Sequence, residues 1–248
     1  MEPVVTVITV VFQAEELIGR TMESVVRQTL PGIEHLVIDG ASVDRTLEIV
    51  RSHSRPALRW ISEPDHGIYD AMNKGLNLAR GRYVIFMNAG DEFAADNVLE
   101  KVLGKNPLAD YYFGNTIVVD LSGRVKGERR LVPPEHLDWK SMQCGMCVSH
   151  QSMIVRRDIC PEYNLRYKIS ADIDWSIRVL KQAKSIVNSH ECIARFLEGG
   201  VSSSRRKIAL KERFAIFTNH YGFLRNIINH LWILVRFIIH RITRKSMT

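Results

Sequence analysis

The first ninety residues constrain the fold most, because strand and helix signals alternate through them without a break. Val4 to Val11 is a continuous, largely β-branched run, the pattern of a strand covered on both faces. Glu15 to Gln28 follows with apolar residues at Leu17, Ile18, Met22, Val25 and Val26, which is helical spacing. Ile33 to Ile38 predicts a second strand ending at Asp39, after which Ser42 and Asp44 offer N-cap oxygens to a helix through Leu47, Ile49 and Val50. Leu58 to Ile61 reads as a third strand. A polar loop from Ser62 to Gly67 leads into a helix over Tyr69 to Ala79, and Tyr83 to Met87 reads as a fourth strand. The order βαβαβαβ implies an α/β chain with a parallel, helix-covered sheet, and such sheets bind ligands at the carboxyl ends of their strands. Those ends lie near Phe12, Asp39, Ser62 and Asn88.

The second half changes character. Tyr111 to Phe113 and Thr116 to Asp120 read as short strands, Leu121-Ser122-Gly123 as a turn into a further one, and helical patterns return around Asp174 to Lys181 and Arg205 to Tyr221. At 248 residues the chain suits one large domain with a C-terminal appendage. The formal charge of +7 suggests a nucleic-acid partner until its distribution is counted. From Arg205 to Thr248 ten Lys/Arg accompany one acidic residue, Glu212, which leaves 24 basic against 26 acidic residues elsewhere. The globular part is therefore not basic, and no nucleic-acid partner is expected. Met1 to Val11 lacks the basic n-region of a secretory signal, so the protein is expected in the cytoplasm. Four cysteines make no disulfide scaffold. Cys144-x-x-Cys147 precedes His150, but without a second close-spaced pair the thiols are read as ordinary rather than as a zinc site.

Two carboxylates fall where a parallel sheet exposes its ligand site. Asp39 closes the second strand in Val-Ile-Asp-Gly, where a carboxylate can accept hydrogen bonds from a base or ribose or, equally, cap the loop. Asp91 follows the fourth strand in Asn-Ala-Gly-Asp, where it can ligate a divalent cation or cap a helix from Ala94 onward. A dinucleotide-dependent oxidoreductase is excluded, since no GxGxxG follows the first strand.

Taken in order, these segments resemble the family 2 glycosyltransferases of the GT-A fold, a Rossmann-like mixed sheet with helices on both faces, and particularly the bacterial subgroup that builds surface polysaccharides. The resemblance rests on Thr9 to Gln13 with Glu15, Val37 to Thr46, Ser62 to Gly75, Asn88 to Asp91, His150-Gln151 and Ala171 to Trp175, and so spans about residues 4 to 204. It implies a glycosyltransferase domain over 1–204, with a nucleotide-binding half at 1–95 and an acceptor-side half at 96–204, followed by a basic helical appendage at 205–248. In the resemblance Phe12, Gln13, Glu15 and Asp39 hold the nucleotide, usually a uracil. Asp70 and Lys74 line the donor pocket beside Asn88, Ala89 and Gly90. Asp91 alone keeps a carboxylate of the family's metal motif and takes the divalent cation, Mn²⁺ or Mg²⁺. Asp172 is the base that deprotonates the acceptor hydroxyl, with Asp174 its rival two residues on; the family's usual Glu-Asp is Ala171-Asp172 here. His150, Gln151, Asp174, Trp175, Gly199 and Gly200 are expected on the acceptor side. Read as residues alone, His150 suits a structural histidine, and Trp175 suits a core position as well as a sugar platform.

The expected reaction is inverting transfer of a sugar from a nucleotide-sugar donor, a UDP-sugar, to a hydroxyl of a saccharide or lipid-linked saccharide. The alternative is a non-catalytic module that binds sugar nucleotides or polysaccharide, which the thinned metal motif permits. From Leu224 to Ile242 apolar residues recur at helical spacing, interrupted by Arg225, Arg236 and Arg241 too often to span a bilayer. An interfacial helix on anionic lipid at the inner face of the cytoplasmic membrane, or a packing helix, is expected there.

Overall fold

The computed structural model describes residues 2–106, 108–199 and 205–232. The first strand, β1 (Val5–Val11), is buried along its whole length. It lies between β2 (Ile33–Asp39) and β4 (Tyr83–Phe86), parallel to both, and β3 (Leu58–Ser62) extends the parallel set beyond β2. The crossovers are α1 (Ile18–Val26), α2 (Thr46–Ser52) and α3 (Ile68–Leu78). Because both faces of β1 are covered, alternate residues enter different cores. Ile8 and Val10 meet Met72 and Leu76 of α3, whereas Val5 and Val7 join Val25 of α1. The α3 contact is close: a Cβ on Gly75 would lie 2.5 Å from Ile8 Cγ2, so only glycine lets the helix settle on the strand.

The remaining strands are β5 (Glu92–Phe93), β6 (Tyr111–Val119), β7 (Val125–Glu128), β8 (Met153–Arg156) and β9 (Ile186–Leu197). Among the described residues they complete one nine-stranded sheet in the order β3-β2-β1-β4-β8-β6-β9-β5, with β7 on β6. The sheet changes direction at β8, which is antiparallel to both β4 and β6. Helices α4 (Val98–Gly104), α5 (Ala171–Gln182) and α6 (Arg206–Tyr221) pack against this mixed half, and residues 223–232 are again helical.

Three local expectations change. The helix after Asp91 starts at Val98 rather than Ala94, because Glu92 and Phe93 pair with Arg195 and Ala194 of β9. Ser42 does not cap α2; it turns back to Asp39. Tyr111–Val119 is one strand, not two. In the segment 205–248, α6 packs on α5, and the last sixteen residues, 233–248, lie outside the described residues.

Candidate active site at the carboxyl ends of the strands

The β1, β2 and β3 ends converge on Asp39, whose side chain is fully buried. It accepts hydrogen bonds from Ser62 Oγ at 2.6 Å and from the Ser42 backbone N–H at 3.0 Å. Asp39 thus ties the end of β2 to the end of β3 and to the loop at Ser42. Phe12 is 59% exposed, and a Cβ on Gly40 would fall 2.6 Å from Asp65 Oδ2 and 3.2 Å from the Phe12 ring. Glycine at 40 lets the Phe12 ring and the Asp65 carboxylate close in on the end of β2 with no side chain between them, leaving a narrow slot there. Asp65 was inside the Ser62–Gly75 motif but carried no expected role.

Several expected nucleotide contacts hold loops in this structure. Glu15 accepts from Arg45 N at 2.9 Å, Asp70 from His66 N at 2.9 Å, and Lys74 donates to Pro64 O at 2.8 Å while pairing with Glu63 at 2.9 Å. Gln13 sits at φ +46°, its N–H held by Ser42 Oγ at 2.8 Å. These bonds order segments 13–15, 42–46 and 63–67 around the slot.

Asp91 is 4% exposed, and both its oxygens are engaged: Gln151 Nε2 donates to one at 2.7 Å and Leu197 N to the other at 2.9 Å. Burial pushes its pKa up, from 3.8 to about 6, against the lowering effect of those two hydrogen bonds. Ala89 and Gly90 add no side-chain ligand, and Gly90 is closed by packing, a Cβ there meeting Leu197 Cδ2 at 2.8 Å. No group of three or more His, Cys, Asp or Glu among the described residues is placed to hold a metal. Asp91 is thus the one carboxylate of segment 88–91, and it joins the end of β4 to the end of β9; a divalent cation here would take most of its ligands from the donor's phosphates and water.

Asp172 stands at the start of α5. Tyr69 OH donates to its Oδ1 at 3.2 Å, Ile173 N donates to the same oxygen at 3.0 Å, and His150 Nδ1 lies 3.8 Å from Oδ2. His150 in turn meets Asn88 Nδ2 through Nε2 at 3.1 Å, while Asn88 Oδ1 is buried without a partner. A chain of side chains thus runs from the end of β4 through His150 to Asp172. Both of the Asp172 donors are on Oδ1, and Oδ2 has no protein hydrogen-bond donor among the described residues.

Asp174 is spent elsewhere. Arg178 Nε and His220 Nε2 each bind it at 2.8 Å, and although burial raises its pKa, these partners hold it below the ordinary value. It pins α6 to α5, with both of its oxygens engaged. Trp175 is 1% exposed, stacks on Tyr163 and donates to Pro161 O at 2.7 Å, so it fills the core and offers no sugar platform. Gln151 is buried against Asp91 rather than open to an acceptor. Gly199 adopts φ +110° with open space around its absent Cβ, and Gly200 lies outside the described residues.

Three features escaped sequence reasoning. Tyr69 reaches Asp172 from α3. Arg129 and Arg213 are close enough for Asp172 to act on both electrostatically. Glu212 of α6 accepts from the backbone N–H groups of Lys168, Ile169 and Ser170 at 2.6, 2.9 and 2.9 Å, fixing the turn that delivers Asp172. Loss of these charge-assisted bonds in Glu212→Ala should cost about 3 kcal/mol and, for a chain of this length, lower Tm by roughly 6–12 °C in a thermal melt. An unchanged Tm would mean that the turn holds itself.

The family model described as Glycosyl transferase family 2 matches residues 6–163, the segment that carries the parallel strands, Asp39 and His150. The chain is a family 2 glycosyltransferase. A PGL/p-HBAD biosynthesis glycosyltransferase of Mycobacterium tuberculosis is 30% identical over 214 residues, 82% of this chain and 80% of its own length. A putative teichuronic acid biosynthesis glycosyltransferase of Bacillus subtilis, TuaG, is 25% identical over 222 residues, covering 86% of this chain and 87% of its own. Among solved structures, S. aureus TarS 1-349 in complex with UDP-GlcNAc superposes with a TM-score of 0.67 at 18% identity, covering 91% of this chain and 72% of that one. A mannosyltransferase of Pyrobaculum calidifontis in complex with GDP-Man and Mn²⁺ gives 0.65 at 14% identity, covering 100% and 81%. At these identities the two structures establish the GT-A fold of this family 2 glycosyltransferase, and the bound species belong to those proteins.

Proposed function

We propose that this family 2 glycosyltransferase moves a sugar, with inversion, from a UDP-sugar to a hydroxyl of a saccharide or lipid-linked saccharide during cell-surface polysaccharide assembly. The observation that carries the reading is the contrast between Asp172 and Asp174: one keeps an oxygen open beside His150, the other is held on both oxygens by Arg178 and His220. Direct displacement at the anomeric carbon needs one base on the face opposite the departing nucleotide, and Asp172 meets that need alone. The slot between Phe12 and Asp65 receives the uridine, with Asp39 and Ser62 setting its floor. The names of the curated relatives and the UDP-GlcNAc held by TarS support the donor class and the setting.

A panel of nucleotide sugars and free nucleotides tests the donor class by protection from thermal unfolding. UDP and one UDP-sugar should raise Tm, whereas GDP and CDP at equal concentration should not. Protection by GDP alone would replace uridine with guanosine in the slot.

The same proposal puts the protein to work at the inner face of the cytoplasmic membrane. No helix among the described residues is long and apolar enough to cross a membrane, but Phe223, Leu224, Ile228, Leu231 and Trp232 are all more than half exposed. Such a surface, continued by Arg236, Arg241, Arg244 and Lys245 in sequence, suits an interfacial helix on anionic lipid. A chain ending at Tyr221 should lose binding to phosphatidylglycerol vesicles in a sedimentation assay; equal binding by both chains would remove the membrane role.

A further inference from the structure

Among the described residues the Asp172 carboxylate is held by two hydrogen bonds, and they come from different parts of the fold. Ile173 N, the next residue in the same helix, donates to Oδ1 at 3.0 Å; Tyr69 OH, from the second position of α3, donates to the same oxygen at 3.2 Å. The first ties the carboxylate only to its own backbone. The second ties it to α3, the helix that also fixes the donor-side loop, where Asp70 accepts from His66 N at 2.9 Å and Lys74 reaches Pro64 O at 2.8 Å.

Tyr69 is itself locked in place. It is buried, and its ring stacks on Tyr163 at 5.3 Å, which stacks in turn on Trp175 of α5 at 5.2 Å. Asn73, four residues along α3, holds Tyr163 by both backbone groups, donating to its carbonyl at 3.0 Å and accepting from its N–H at 2.7 Å. With the ring so held, only the hydroxyl proton can turn. It has two acceptors, the Ile169 carbonyl at 2.8 Å and Asp172 Oδ1 at 3.2 Å, and one proton serves one of them at a time. Burial, with Asp172 beside it, holds the phenol's pKa well above its ordinary 10, so the proton stays on its oxygen. The turn at Ile169 does not depend on this bond, because Glu212 holds its N–H groups from α6.

We propose that Tyr69 is a positioning residue for the acceptor base: its hydroxyl holds Asp172 Oδ1, so that Oδ2 is presented at a fixed place relative to the donor-binding half. This rests on the assignment of Asp172 as the base. In the displacement the acceptor O–H proton passes to Oδ2, the acceptor oxygen's electron pair forms the bond to the anomeric carbon, and the bond to the diphosphate breaks with its pair leaving on UDP. Before transfer the carboxylate attracts the phenol proton more strongly than a carbonyl does. Afterwards the neutral acid competes less well, the proton turns to the Ile169 carbonyl, and Tyr69 stays bonded in both states. Base, acceptor and anomeric carbon must be aligned for the reaction, and a tether between the two halves keeps them so.

UDP release from UDP-glucose, UDP-galactose, UDP-GlcNAc and UDP-GalNAc, with water in the acceptor's place, supplies a rate. Tyr69→Phe should lower kcat about tenfold, the size of one hydrogen bond to a charged group, with the donor KM within about twofold of wild type. Tyr163→Phe removes a buried hydroxyl that has no hydrogen-bond partner among the described residues, and should leave kcat unchanged. Added to Asp172→Asn, Tyr69→Phe should cost less than about twofold, since its effect runs through the carboxylate. A Tyr69→Phe rate within about twofold of wild type overturns the inference, as does an equally large loss in the Asp172→Asn background. Asp172→Asn turning over as fast as wild type would strike the base assignment itself, and the positioning role with it. A second measurement needs no turnover: with tyrosine labelled by ¹³C at Cζ, the Tyr69 resonance, assigned through space from Tyr163, should shift in Asp172→Asn as the hydroxyl turns to the Ile169 carbonyl. An unmoved resonance overturns the inference even where no UDP-sugar turns over or Tyr69→Phe fails to fold.

Discussion

Asp172→Asn should lower kcat by about 10²–10⁴-fold, the span that a positioned general base contributes, with UDP-sugar binding left intact. The amide is isosteric, and its oxygen can still accept from Tyr69 OH and Ile173 N, so the start of α5 keeps its geometry. What disappears is the free carboxylate oxygen beside His150. Single-turnover transfer, followed with a saturating donor, reads the chemical step directly. Turnover within about threefold of wild type would remove Asp172 from the reaction. Asp174→Asn makes the control: with Arg178 and His220 losing their partner, it should reduce stability more than transfer, because its contacts are internal.

Asp91→Asn separates a structural acid from a metal ligand. The raised pKa of Asp91, about 6 against an ordinary 3.8, means that the folded state holds this proton more tightly than the unfolded chain does. Its contribution to stability is therefore fully present below about pH 4 and is lost as pH rises through about 6. Relative to Asp91→Asn, the wild-type protein should gain roughly 1.4 kcal/mol between pH 7.5 and pH 5. The asparagine oxygen can still accept from Leu197 N, and Gln151 can turn its amide to meet the new donor. Denaturant midpoints of both proteins at the two pH values measure the difference. A parallel pH dependence in the two proteins would contradict the buried-acid account. Mn²⁺ should leave the Tm of both nearly alike, whereas stabilisation of the wild-type protein only would restore Asp91 as a ligand.

What could be read from the sequence divides along the sheet. The parallel half was legible because a strand buried on both faces announces itself as an apolar run, and each run here is followed by a helix of clear period. The position of Asp39 at the end of β2 follows from the same pattern. The mixed half resists such reading. β9 opens with Asn188, Ser189 and His190 inside its span, and its register on β6 shifts twice near Asn115, so neither a period of two nor a continuous run marks it. Roles that depend on distant partners were hidden for a simpler reason. Asp91 meets Leu197 across 106 positions, and Glu212 meets Ser170 across 42. The motifs point Asp91 to a cation and Asp174 to the acceptor side, and they give no sign that Asp91 also joins β4 to β9 or that Asp174 joins α5 to α6. Trp175 was balanced between core and platform, a balance that only its burial against Tyr163 and Phe86 resolves.

The three backbone bonds to Glu212 bear on how this chain can be cut and recombined. The sequence invites a boundary at residue 204, where the globular charge pattern ends and the basic segment starts. Yet Glu212 and His220, both beyond that point, hold the approach to α5 and its second aspartate. A chimaera that swaps the C-terminal segment between relatives must carry α6 with the body, and a minimal fragment must run at least to Tyr221. Helix α6 is already committed to the shape of the turn before α5, so a displacement of α6 has a short mechanical route to Asp172.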